Sequence, residues 1–241
     1  FSVGNFYNRT DSDSRYVNVD GDTMTGNLTV GTTSSSQPIL QFLSSTSGAN
    51  TIHFGDGSSA DAYRGYINYN HSTDAMEFAT SGAVGLKIDA DGHVLMSKTP
   101  AFLARKSSDT SNISTATGVT VVFDTETFDQ NGDFNTSTGV FTAPVTGRYQ
   151  LNAKVYLQEI PTNTSYLYVQ LNTSNNAAFE IIDPEAFDQD MTYYTFNISI
   201  LADMDASDTA SVLVYQQGGN AQTDIDGGTE NNTSFSGFLA C

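Results

Sequence analysis

The side chains that could do chemistry in this chain are mostly carboxylates and phenols. Asp and Glu number 27 against 9 Lys and Arg, a formal charge of -18, and there are 12 tyrosines, 3 histidines and 1 cysteine. Carboxylates at this density could supply a glycosidase-type acid and base, or the oxygen cage of a hard cation. The first use requires two carboxyls held roughly 5–9.5 Å apart, which spacing along a sequence does not specify. Other marks of catalysis are missing. His53, His71 and His93 are dispersed, and the chain has no Gly-x-Ser-x-Gly, no His-Glu pairing and no phosphate-cradling glycine loop. The histidines are therefore expected to be structural or exposed, and no catalytic residue is expected.

The second use has better candidates. Asp203-Met204-Asp205…Asp208 and Asp224-Ile225-Asp226-Gly227 are oxygen-rich turns, so Asp203, Asp205, Asp208, Asp224 and Asp226 are the candidate calcium ligands. Neither turn fits the EF-hand loop, and solvated acidic turns are the plainer reading. Tyrosines are the candidates for recognition. Tyr156, Tyr166, Tyr168, Tyr193 and Tyr215 lie in alternating stretches, where a phenol offers a flat apolar face and a hydrogen-bonding tip to sugars or to protein.

The acidity excludes some partners. A field of this sign repels phosphate backbones and anionic membranes, so nucleic-acid binding is not expected. No apolar run approaches the roughly 20 residues that span a bilayer, so no membrane insertion is expected. With Cys241 alone there is no disulfide framework and no cysteine-based zinc site. The opening FSVGNFYNRT lacks the basic and apolar regions of a signal peptide, and without an initiator Met the chain is expected to be a fragment or processed product. Asn-x-Ser/Thr sequons at Asn8, Asn112, Asn163, Asn172 and Asn197 are expected by chance in so Asn-, Ser- and Thr-rich a chain.

The elements that must position these side chains are strands. Residues 1–38 are polar and turn-rich, an extended linker or shaft segment too poor in apolar residues to fold alone. Residues 39–98 alternate in short runs: Ile39–Leu43, Thr51–Phe54, Gly65–Tyr69, Ala75–Phe78, Gly85–Ile88 and His93–Met96, with Asp91-Gly92 marking a tight hairpin. Each run offers two or three inward apolar residues, too few for an independent sandwich but enough if three chains share an axial core. No helical heptad appears that could trimerise the chain instead. Lys98-Thr99-Pro100 punctuates the sequence, and residues 99–241 form the third unit. There Phe123 to Leu157 reads FDTETFDQNGDFNTSTGVFTAPVTGRYQLNAKVYL, and from Tyr149 it alternates strictly, Tyr149, Leu151, Ala153, Val155 and Leu157 on one side. Further alternating runs follow at Tyr166–Leu171, Tyr193–Leu201 and Ser211–Tyr215. Eight to ten strands without a helix candidate predict a sandwich or jelly roll. The stretches between them, Gln158–Thr164, Asn172–Ala178 and Gln217–Glu230, are expected to be external loops suited to facing a receptor.

Two resemblances narrow this reading. Gly21-Asp22-Thr23-Met24-Thr25-Gly26, followed by Asn27-Leu28-Thr29-Val30, resembles an element that recurs in bacteriophage tail-fibre and tail-collar proteins, and the order of strands in 39–98 looks like fibre shaft and knob segments. From about Ala101 onward the chain resembles the globular head of complement component 1q, which shares a trimeric jelly roll with tumour necrosis factor. Phe123, Asp129, Phe134, Phe141, Gly147 and Tyr149 fall in that family's register, Thr142-Ala143-Pro144-Val145 matches the residues between, and Asn231-Asn232-Thr233 before Phe235-Ser236-Gly237-Phe238-Leu239 matches its last strand. Leu151 and Ala153 stand where the family has two further aromatics, and no collagen repeat lies upstream.

These resemblances imply an all-β protein in which an intertwined trimeric β shaft carries an antiparallel jelly-roll head, a homotrimer burying aromatic sheet faces. Some heads of the family bind calcium near the trimer apex. The tyrosines are then expected first at subunit contacts. The implied function is a virion adhesin, a phage tail-fibre tip binding a host surface glycan or protein and attached to other tail or baseplate proteins. A capsid-surface fibre or a secreted adhesin with this head is the alternative, and a fibre-borne glycan hydrolase is the alternative of another class.

Overall fold

The computed structural model describes residues 38–57 and 59–241. The 20–30 stretch that resembles a tail-fibre element lies outside the described residues, as does nearly all of the 1–38 segment. The first described unit is an antiparallel meander in the order β1 (Ala49–Phe54), β2 (Gly65–Asn70), β3 (Ala75–Thr80), β4 (Ala83–Ile88), β5 (Val94–Leu95). Ser81 and Gly82, at φ 51° and 75°, join β3 to β4 with both central residues left-handed, the turn whose twist suits a two-residue hairpin. The Asp91-Gly92 hairpin forms as expected, with the Asp89 carboxylate accepting from the amides of Asp91 and His93 at 3.0 and 2.9 Å.

Strand register sorts this sheet into unlike faces. Ile52, Ile67, Phe78 and Leu86 align across β1 to β4, with Met76, Ile88 and Val94 in the next row of the same face. The opposite face carries Thr51, Asn68, Glu77 and Lys87, joined by Thr51 Oγ1 to Asn68 at 2.8 Å, Asn68 Nδ2 to Glu77 at 3.1 Å, and a Lys87–Glu77 ion pair at 3.8 Å. Ile39–Leu43, expected as a strand, is not one. A strand exists by pairing, and among the described residues no ladder joins this run to β1 or to any other strand. Its Ile39, Leu40, Phe42 and Leu43 are exposed, and a side chain ties it to the sheet instead, Asn50 Nδ2 donating to the Phe42 carbonyl at 3.1 Å.

The head comprises β6 (Ala101–Arg105), β7 (Val119–Thr120), β8 (Thr125–Asp129), β9 (Phe134–Asn135), β10 (Val140–Thr142), β11 (Gly147–Ile160), β12 (Thr164–Thr173), β13 (Ala177–Ile182), β14 (Met191–Met204), β15 (Thr209–Gly218), β16 (Asp224–Ile225) and β17 (Ser234–Leu239). They form two six-stranded antiparallel sheets. One runs β14-β11-β17-β6-β8 with β16 on β11, the other β13-β12-β15-β10-β9 with β7 on β15. The strict alternation read from Tyr149 is the inward set of β11: Tyr149, Leu151, Val155 and Leu157 are fully buried against Leu167, Val169, Leu171, Val212 and Val214 of the facing sheet. Asn172–Ala178, expected as an external loop, is the end of β12, a tight turn and the start of β13.

At one end of the core Phe102 is the hub of an aromatic cluster. Its ring stacks on Phe134 at 4.9 Å and on Phe141 at 4.7 Å, and meets Phe235 edge-on at 5.1 Å. Tyr149 is wholly buried, so its hydroxyl needs a partner, and it donates to the Val145 carbonyl at 2.7 Å. The two missing aromatics are compensated by their neighbours. Ala153 sits between Phe235 on β17 and Ile198 on β14, and Leu151 between Gly237 and Ile200. A Cβ on Gly237 would come within 2.6 Å of Leu151 and 2.8 Å of Phe102, so the absence of a side chain there is what admits the two larger ones.

Candidate functional site

Because the two head sheets share one core, their outer surfaces lie on opposite sides of the head. On the β12 sheet the outward positions are Tyr166, Tyr168, Gln170 and Asn172 of β12, Ser211, Leu213, Tyr215 and Gln217 of β15, and Ala177, Phe179 and Ile181 of β13. Tyr168 pairs directly with Tyr215, their rings near-parallel at 5.0 Å, and Tyr166 stacks diagonally on Tyr215 at 5.9 Å. Phe179 leans on Tyr168 at 5.8 Å and is 60% exposed. The Tyr215 hydroxyl donates to Gln217 Oε1 at 2.7 Å. Desolvation by this crowding, with Tyr166 and Tyr168 adding to it, pushes the Tyr215 phenol up from its ordinary value. None of the outward positions named is charged. Glu180 alternates to the core side of edge strand β13 and accepts from the Asn197 amide at 3.3 Å.

The β11 sheet presents a different surface. Its centre is an amide and hydroxyl ladder: Gln150 Nε2 donates to Ser199 Oγ at 2.9 Å, and Ser199 Oγ to Asn152 Oδ1 at 2.8 Å. Around it stand Leu201 and Phe238, which flank Gln150 in register and are 59% and 48% exposed, with Leu103 and exposed Phe128 in the adjoining row. Between Gln150 and Tyr156 the outward positions of β11, β14, β17 and β6 hold no carboxylate. The charges there are Lys154 and Arg105, which align through Ser234. Tyr156 and Tyr193 stack at 5.7 Å further along. The five candidate tyrosines thus divide between opposite faces, Tyr166, Tyr168 and Tyr215 on one and Tyr156 and Tyr193 on the other. Sequence alternation places them on strands, some opposite the core side, but does not tell which face each one shares.

The candidate metal ligands occupy two separate turns. Asp208 Oδ2 accepts from Asn175 Nδ2 at 2.8 Å and from the Asp205 amide at 2.9 Å, while Asp203, next to last in β14, lies opposite Arg148. Asp224 Oδ1 accepts from the Asn112 amide at 2.7 Å, and Asp226 Oδ1 from Gln158 Nε2 at 2.6 Å. Either turn gives one chain only part of the six to eight oxygens that calcium takes, so an ion bound there draws on water or on another copy. Among the described residues, the three side chains able to converge on a metal are Asp89, Asp91 and His93, in the exposed β4–β5 hairpin. His93 Nδ1 lies 3.1 Å from Asp89, His53 packs edge-on against Tyr63, and His71 Nε2 meets Asn50, so each histidine has its own local partner.

One carboxylate stands out energetically. Asp129 uses both oxygens on the amides of Gly132 and Phe134, at 3.0 and 2.8 Å, whereas the neighbouring Asp133 buries Oδ2 without a hydrogen-bond partner. Desolvation, then the charge of Asp129, raise the Asp133 carboxyl above its ordinary value. A raised carboxyl disfavours the charged form in the folded state. The resulting cost is present above the folded pKa and gone below the unfolded one, near 4. Asp133→Asn is therefore expected to raise the melting temperature at pH 7 by roughly 2–4 °C, as about 1 kcal/mol does in a chain of this size. The gain should vanish by about pH 3. Calorimetry at both pH values checks this, and an unchanged or lower value at pH 7 refutes it.

Two back-to-back antiparallel sheets, with an aromatic hub between them and carboxylate-free centres on their outer surfaces, define a jelly-roll module. The model of the C1q domain family matches residues 101–240, and the chain belongs to that family. Among solved structures, the globular domain of zebrafish complement 1qA protein is similar at 17% identity, with 60% of this chain and 98% of that one covered and a TM-score of 0.44. Eiger TNF from S. frugiperda is similar at 11% identity, covering 58% and 91%, with a TM-score of 0.44. Murine APRIL is similar at 13% identity, covering 59% and 98%, with a TM-score of 0.39. No curated protein sequence matches the chain.

Proposed function

We propose that this chain is the receptor-binding end of a homotrimeric fibre of the phage tail-fibre kind, in which a β shaft presents a C1q-type head to a host cell surface. The observation that carries this is the apolar face of the meander, which the other described residues leave partly exposed. Ile52 and Phe78 of its central row are exposed, and a single sheet with one dry face is not stable without a second layer. Three copies around an axis supply that layer for one another and continue into a head of a family whose members are typically trimeric and engaged in binding. The mechanism is adhesion. Three heads on one axis convert modest contacts into avidity, and the shaft's other end joins the remaining tail or baseplate proteins of an extracellular virion.

The test uses the whole chain at micromolar concentration, with light scattering for its mass and a panel of bacterial strains with their purified surface polysaccharides as targets. The expected result is a trimer that adheres to cells or polysaccharide of at least one strain and releases no reducing ends. A monomer overturns the reading, and reducing ends appearing with time replace adhesion by hydrolysis.

A further inference from the structure

A trimeric adhesin head must meet its receptor with one particular surface, and that surface's chemistry selects the receptor. The two sheet surfaces point in opposite directions, so the inference rests on the adhesin reading for which of them is free. When the β11 sheet, with its exposed Leu201 and Phe238 and its two cations, faces the threefold axis, the β12 sheet faces outward. That outward surface differs from the rest of the molecule. In a chain of net charge -18, the outward positions of β12, β13 and β15 carry no charged side chain at all. They offer instead an aromatic cluster of Tyr166, Tyr168, Tyr215 and Phe179, with Gln170 directly opposite Phe179 and Gln217 hydrogen-bonded to Tyr215.

This is the complement of an uncharged polyol. A pyranose has an apolar C–H face, which stacks on aromatic rings, and an equatorial rim of hydroxyls, which both donate and accept. Side-chain amides do the same, each with a carbonyl acceptor and two N–H donors, and phenols add a donor-acceptor tip. A protein ligand would bring charges at its rim, for which this surface has no partner. An acidic glycan would approach a strongly negative molecule at a place without a cation. We infer that the outer surface of the β12 sheet, centred on Tyr168 and Tyr215, binds neutral oligosaccharide, and that this glycan is the receptor chemistry of the head. A second copy of the chain is the other occupant an apolar sheet surface could have, and the experiment separates the two.

The full chain is applied to an array carrying neutral hexose and N-acetylhexosamine oligosaccharides beside sialylated and sulfated ones. Hits are then titrated by tyrosine emission, which no tryptophan masks. The variants are Tyr168→Ala and Phe179→Ala, the second at a side chain so exposed that its loss leaves the core untouched. The expected result is binding confined to neutral glycans, weakened roughly tenfold or more by each variant, with the trimer mass unchanged. Dissociation of the trimer by either variant assigns the surface to self-association and overturns the inference. So does binding confined to acidic glycans, absence of binding to any glycan, or neutral binding that both variants leave intact. Wild-type adhesion to cells that survives in variants that have lost glycan binding also overturns it, while leaving the adhesin reading in place. Failure of the wild-type chain to adhere to cells strikes the adhesin reading itself.

Discussion

Phe102→Ala is expected to lower the melting temperature of the head by roughly 6–20 °C. The ring is almost wholly buried and contacts three other phenylalanines, two stacked and one edge-on, from β9, β10 and β17. Removing it leaves a cavity lined by Phe134, Phe141 and Phe235, and truncations of this kind cost about 3–5 kcal/mol. Collapse cannot recover much of that. Each of the three neighbours is a rigid planar group on a different strand, and Gly237, whose missing Cβ makes room for Phe102, has no side chain to swing inward. Leu103→Ala, one position along and outward-facing, is the control, with an expected cost below about 1 kcal/mol in the isolated chain. Thermal unfolding of the two variants side by side reads the difference. Equal shifts would mean that the hub is not where the head's stability resides.

Phe134, Phe141 and Phe235 of that cluster are legible in the sequence because they are large and locally patterned, whereas Phe102 at its centre is not marked out by any spacing. Phe134, Phe141 and Tyr149 sit at spacings that only turns and strand ends can satisfy, and alternation from Tyr149 assigns the inward residues of β11 as far as Leu157 without any knowledge of the partner strands. Ile160, also fully buried, falls off the alternation because Glu159 is left-handed at φ 54°. Other parts need long-range pairing. Strand β13 reads AAFEII, with no clean period, because an edge strand of a sandwich buries its inward side only partly, so Glu180 can stand among core-side residues. The Ile39–Leu43 run misleads for the opposite reason. Its composition suits a strand, but composition does not supply a pairing partner, and no ladder forms along it. The uncharged surface of the β12 sheet is the least legible feature. Residues 160–179 and 209–223 are free of Asp, Glu, Lys and Arg in the sequence, but Tyr168 and Tyr215 become one site only through a register fixed by the whole β12–β15 ladder.

Leu201→Asp combined with Phe238→Asp is expected to convert the proposed trimer of heads into monomers without lowering the stability of the monomer itself. Both side chains are already about half or more exposed in one chain, so their replacement removes little buried area and breaks no hydrogen bond. In the proposed trimer they become central. They flank Gln150 in register, next to a ladder of amides and hydroxyls that is internally satisfied and therefore inexpensive to desolvate. The electrostatics select the same surface. Three chains of charge -18 repel one another, and assembly requires contact where carboxylates are absent and cations can meet acidic loops from the neighbour. Lys154 and Arg105 stand in that position on the β11 sheet, whereas the β12 sheet has no cation to offer. Two aspartates inserted in each of three subunits would place six like charges around one axis, a cost of several kcal/mol that burial of the remaining apolar rim cannot offset. Light scattering of residues 99–241 alone is the sensitive measurement, because in the proposed fibre the meander's apolar face continues to hold three copies of the full chain together. Retention of the trimer by the doubly substituted head would move the threefold contact to another surface. It would also make the tyrosine-lined sheet the first alternative, which links this result directly to the glycan experiment.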